Sequence, residues 1–196
     1  LHLFGRSPDT ESEVANLIVK CQKLIQDNPK TSEFKTQLAL AYQLWGSMKS
    51  SNASTPAFDE FAKSLELQCE VTNDLPESNI CRQTLQNLIG RLSIVSQNLI
   101  EPMIAAQNVA AAKSNLKRWY AIVKKSEAEA ADYAKPTDEL NYVIAYAADA
   151  FDRLGQTSRA AELWKDLVDR KPFNNRTNPE FRYARSLAMS GDIETA

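Results

Sequence analysis

The stretch 147–172, AADAFDRLGQTSRAAELWKDLVDRKP, decides how the rest of the chain is read. Small residues (Ala147, Ala148, Ala160) and large ones (Phe151, Leu154, Trp164, Leu167) recur at steps of three and four, so each half presents one apolar helix face. Gly155 lies between the halves, where a tight turn needs a residue without a Cβ, and Pro172 cannot continue a helical ladder. The alanines let the two backbones approach. Thirty-six residues further on, Ala184, Leu187, Gly191 and Ala196 stand where Ala148, Phe151, Gly155 and Ala160 stood. A pattern that returns in phase marks stacked helix pairs, because one pair alone cannot bury its apolar face.

Upstream, Ala39, Tyr42, Trp45 and Gly46 repeat the first half, and the second half, Ala57 and Phe61, arrives late behind the polar stretch 49–55. The opening segment aligns Cys21, Leu24, Ile25 and Pro29 with Trp164, Leu167, Val168 and Pro172, which makes it a second helix without its first. Thr10 with Glu13 forms a capping box at its start. Prolines at 29, 76, 136 and 172 are 47, 60 and 36 residues apart, where a regular array would keep roughly 34. The middle unit, 78–136, shows helical stripes through Leu85, Leu88, Ile89, Leu92 and Val95 and through Trp119, Ile122, Val123, Ala130 and Tyr133, without the Gly and small-residue pattern. Its Ala-rich part, 102–112, is either a short helix or the join of a longer one.

These residues resemble the tetratricopeptide repeat family, best over 138–196 and next over 28–76. The resemblance implies an all-α fold, a right-handed α-solenoid of antiparallel helix pairs with about nine helices. The whole chain 1–196 then reads as one helical-repeat domain, part of something longer. Its units are about 10–29 (a half repeat), 31–76, 78–136, 137–172 and 177–196 (a half repeat). A looser resemblance rests on proline followed by Phe34-Lys35 or Cys81-Arg82 and then Leu38 or Leu85. It is to repeat regions of large bacterial serine/threonine kinases, and implies a regulatory or targeting region of a larger enzyme as the alternative.

Composition narrows the function. Of 196 residues, 43% are apolar, enough for a core, and Lys plus Arg (23) against Asp plus Glu (25) leaves a net charge of −2. No global positive field draws such a chain to nucleic acid or anionic lipid, and no apolar run reaches the roughly 20 residues of a membrane span. The three cysteines, Cys21, Cys69 and Cys81, are odd in number and widely spaced; they read as free thiols in a cytoplasmic protein without a leader. The single histidine, His2, sits at the chain start, and no nucleophile, metal or phosphate-loop motif occurs, so the expectation is no catalysis, no metal and no cofactor. Two Asn-x-Ser/Thr triplets, Asn52-Ala53-Ser54 and Asn175-Arg176-Thr177, read as coincidence. Lys113, Lys117, Arg118, Lys124 and Lys125 cluster beside Trp119 and Tyr120; this reads chiefly as a solvated helix face, with RNA binding as the sharper alternative.

In the resembled family the first helix of each pair lines a groove that holds peptides. Carried onto this chain, the groove residues are Tyr142, Ala145, Tyr146, Asp149 and Arg153, then Arg182 and Arg185, with Glu33, Thr36, Gln37, Leu40 and Gln43 upstream. The sites expected to hold a peptide are Tyr142, Tyr146, Asp149, Arg153, Arg182 and Arg185. Aromatic anchors with paired cations suit an acidic or carboxylate-bearing protein segment. Thr36, Leu40, Ala145 and Asp149 stand where a chaperone-tail clamp needs Lys or Asn, which disfavours that partner. The last helix ends before its pair begins, leaving Phe181, Leu187 and Ile193 open to self-association.

Overall fold

The computed structural model describes residues 8–49, 55–130, 137–170 and 178–191. His2, Tyr133, Pro136, Pro172, Ile193, Ala196 and both Asn-x-Ser/Thr triplets lie outside them. Among the described residues the fold is all-α, with no strand: α1 (Pro8–Asp27), α2 (Ser32–Lys49), α3 (Thr55–Asp74), α4 (Asn79–Ala105), α5 (Val109–Glu129), α6 (Thr137–Arg153), α7 (Thr157–Arg170) and α8 (Pro179–Ser190). The count is eight where about nine was expected, because 102–112 is not a helix of its own. Pro102 falls in the last turn of α4, where its missing N–H costs one bond to Asn98, and Val109 opens α5. α1 begins at Pro8, so Thr10 lies inside the first turn and not ahead of it.

Two compact units divide the chain, Leu1–Leu99 with Lys125–Lys135, and Ile100–Lys124 with Pro136–Ala196. In the first, α1 packs on α2 and α2 on α3. Cys21, Leu38 and Tyr42 form a buried cluster covered by Ile18, Ile25 and Leu67, and Gln22 Nε2 donates to the Tyr42 hydroxyl at 2.9 Å. Inside the α2–α3 contact the buried Ser64 hydroxyl donates to the Ala39 carbonyl at 2.7 Å. Gln68 Nε2 donates to the Cys81 carbonyl at 3.2 Å, tying α3 to α4, and Asn73 Nδ2 donates to the Glu129 carbonyl at 2.7 Å, tying α3 to the end of α5. The cysteines are free; Cys21 and Cys69 are buried and Cys81 is half-buried.

In the second unit the residues that made the repeat legible are its core. Ala147, Ala148 and Ala160 are fully buried, with Phe151, Trp164 and Leu167 packed around them. Trp164 Nε1 donates to Asp152 at 3.2 Å, and the Ser186 hydroxyl donates to the same carboxylate at 2.9 Å, so α6, α7 and α8 meet at one acid. Helices two apart in sequence also touch: α4 reaches α6, α6 reaches α8, and α5 reaches α7. Contacts between a helix and the next but one, as in these three pairs, are what side-by-side helix hairpins produce.

The turn between α6 and α7 recurs between α4 and α5. Gly155 N–H donates to Asp152 and Gln156 N–H to Phe151; Gln107 N–H donates to Ile104 and Asn108 N–H to Met103. Both are left-handed helix ends of the Schellman kind, with φ +70° at Gly155 and +56° at Gln107. The 48-residue offset also carries Ala112, Leu116 and Trp119 onto Ala160, Trp164 and Leu167, all buried. The middle unit therefore is a repeat, with glutamine where its successor has glycine.

Candidate functional site

Helix α6 is buried on most of its circumference; the positions open to solvent are Asp138, Tyr142 and Arg153, with Tyr146 and Asp149 half-buried between them. The spacing 142, 146, 149, 153 is one helical stripe, so the structure brings four of the expected site residues onto one face.

Two of these side chains are committed to α4. Arg153 grips Glu101 with two bonds, Nη1–Oε1 at 2.7 Å and Nη2–Oε2 at 2.8 Å, and the Tyr146 hydroxyl donates to Glu101 Oε1 at 2.9 Å. The guanidinium hydrogen bonds hold the Glu101 carboxyl below its ordinary range, against a smaller opposing effect of burial. Burial, and then the bond to Glu101, pushes the Tyr146 phenol upward. Its ring stands edge-on to buried Trp119, centroids 5.4 Å apart. The Trp119 Nε1 is buried without a hydrogen-bond partner among the described residues.

The third pair runs the other way along the stripe. Arg182 Nη1 of α8 meets Asp149 Oδ1 at 3.1 Å, and the guanidinium carbon lies 5.9 Å from the Trp164 ring centroid. These contacts share one register. Glu101 and Asp149 are equivalent under the 48-residue offset, as Tyr146 and Arg182 are under the 36-residue one. Thus a carboxylate on one leading helix accepts from the side chain three positions before its counterpart on the next. On α8 that counterpart is Arg185, a cation, exposed and without an ion pair among the described residues. Sequence periodicity found the stripe but not Glu101, whose partners are 45 and 52 residues away.

The rest of α8 is half covered. Ser186 and Leu187 are buried, while Phe181 is 63% and Met189 54% exposed. The basic cluster of α5 is split: Lys125 pairs with Glu66 and Glu129, whereas Lys124 meets Asp166 of α7 at 3.7 Å. Among the described residues no group of acids, cysteines and histidine could hold a metal, and no helix is long and apolar enough to cross a membrane.

No protein-family model matches the chain, and no curated protein matches it. Two solved structures share its fold. The de novo designed helical repeat protein DHR64 superposes with a TM-score of 0.57 at 12% identity, over 96% of this chain and 98% of that one. The structure titled "DHF58 filament" superposes with a TM-score of 0.62 at 10% identity, over 96% and 97%. At such identities the likeness is one of fold, a helical repeat.

Proposed function

We propose that this chain is a non-catalytic protein-interaction module whose leading-helix face holds an extended peptide or protein segment carrying an acidic group. The observation that carries the reading is Arg185. It occupies the register position at which α4 and α6 hold carboxylates already engaged by the next helix, and it presents there an exposed cation that makes no ion pair among the described residues. Tyr142, 61% exposed on the same stripe system, offers the aromatic anchor. Arg153 and Arg182 serve the surface as fixed, paired charges, so the acidic preference rests on Arg185 and not on all three arginines. The test is a peptide-array or pull-down comparison of the native chain with Tyr142→Ala and Arg185→Glu. Both side chains are exposed, so melting should change little while acidic ligands are lost. Unchanged capture with unchanged melting refutes the surface.

A second reading, self-association through α8, is favoured by the exposure of Phe181 and Met189, and one of the two matched structures is by its title a filament. Sedimentation of the native chain and Phe181→Glu over a wide concentration range decides it: a monomer throughout excludes it, and an assembly abolished by the substitution supports it.

A further inference from the structure

The repeat register assigns a neighbour to each helix face. The 143-residue offset that carries Cys21 onto Trp164 also carries Leu17 and Leu24 of α1 onto Ala160 and Leu167 of α7. Ala160 and Leu167 are buried, and α7 packs on both α6 and α8. Leu17 and Leu24 are 42% and 41% exposed, although α2 packs on α1 as α8 packs on α7. The open side of α1 is therefore the one that a trailing helix turns to the leading helix before it. At α8 the converse holds. The 36-residue offset carries Ala145, Ala148 and Leu154 of α6, all buried, onto Phe181, Ala184 and Ser190. Phe181 and Ser190 are exposed and Ala184 is half-buried, so α8 shows the face that a leading helix keeps for the hairpin after it. Apolar area left in water at both faces favours their association.

Charge selects the partner. Glu101 of α4 accepts from Tyr146, and Asp149 of α6 from Arg182. The 109-residue offset that carries Ala39, Tyr42 and Gly46 onto Ala148, Phe151 and Gly155 puts Gln37 of α2 at the position of Tyr146, with Glu33 one turn earlier. Both are exposed. A helix that brings an amide oxygen and a carboxylate to the donor position suits a predecessor whose acceptor has been replaced by a cation, and α8 is such a predecessor through Arg185. Two α8 helices paired antiparallel, Phe181 of each on Met189 of the other, would centre on Arg185 and bring like charges together.

We propose that the first hairpin of a second copy of this chain, α1 and α2, seats on α8 as α7 and α8 seat on α6. The contact covers Phe181 with Leu17 and Leu24 of the second copy, and holds Arg185 with its Glu33 and Gln37. This rests on the self-association reading above and names the face that α8 meets. Because the two faces differ, the contact is heterologous, so each added copy leaves one face of each kind open.

The test is sedimentation of the whole chain over a wide concentration range, beside two variants that each lose one face: Phe181→Glu, and Leu17→Glu with Leu24→Glu. The native chain should grow past a dimer as concentration rises, and each variant alone should stay a monomer. Mixed in equal amounts, the two variants should form a one-to-one dimer, because the intact α8 of one meets the intact α1 and α2 of the other; that dimer also shows that both are folded. Arg185→Glu should weaken association about tenfold or more, Glu33→Arg should do the same, and the two together in one chain should restore most of it. Assembly that is lost with Phe181→Glu but kept with Leu17→Glu and Leu24→Glu leaves self-association through α8 standing and overturns the pairing with α1. A mixture that stays monomeric, or a charge swap without rescue, also overturns the pairing. A native chain that is monomeric throughout overturns both.

Discussion

A Cβ added at Gly155 would meet no atom within 4 Å, whereas one at Gly46 would stand 2.9 Å from the Phe61 ring. The repeat register makes the two glycines equivalent, yet α2 continues to Lys49 past Gly46, and only Gly155 sits in a turn at positive φ. Gly155→Ala should therefore cost about 1–2 kcal/mol through left-handed backbone strain alone, and Gly155→Val should act through the same strain and not through overpacking. Gly46→Ala should cost about 1–3 kcal/mol by crowding, and Phe61→Leu should partly rescue it while doing nothing for Gly155→Ala. Denaturant unfolding of the single and double variants checks both. Gln107 bears the same left-handed strain without being glycine, so Gln107→Gly should raise stability by up to about 1 kcal/mol, the relief exceeding the added freedom of the unfolded chain. Burial pushes the Cys69 thiol up to about 11, leaving almost no thiolate at neutral pH. Mass-spectrometric mapping of thiol labelling should find half-buried Cys81 modified first and Cys69 only on unfolding.

At the scale of the helix, the contact between Glu101 of α4 and Arg153 of α6 sets a pH dependence. The folded carboxyl titrates below its unfolded value, so its contribution is complete above the ordinary Glu range near about 4.3 and fades as pH falls through the lower folded value. Both side chains are 41% exposed, so solvent screening keeps the pair under about 1 kcal/mol despite its two bonds. Unfolding of the native chain and Arg153→Met, followed from pH 7 to pH 3, should show a constant difference above about pH 5 that shrinks towards the acid end. A difference that grows on acidification would contradict the assignment. The stripe 142, 146, 149, 153 was legible because helical periodicity alone places residues on a face. Its partners were not, since which carboxylate a guanidinium finds depends on how hairpins stack and not on local spacing.

Over the whole molecule, the all-α helical repeat was legible from the stretch around Gly155 and least legible between 78 and 130. There the turn geometry is kept while its glycine is replaced by Gln107, and the long α4 moves the next copy from a 36-residue to a 48-residue offset. Residue identity carried the pattern where it was legible; buried alanine and hydrogen bonding carry it in the middle. Nearest-neighbour packing also predicts how damage spreads. Deleting 178–196 removes the Ser186 and Arg182 contacts to α6, so amide exchange in α6 and α7 should quicken far more than in α2 and α3. The reversal of charge at Arg185 has one more consequence. A tyrosine hydroxyl or a guanidinium, the donors that α6 and α8 extend to the helix before them, would meet a cation and not a carboxylate at that position. Whatever settles there, foreign strand or further polypeptide, is sorted by sign before it is sorted by shape.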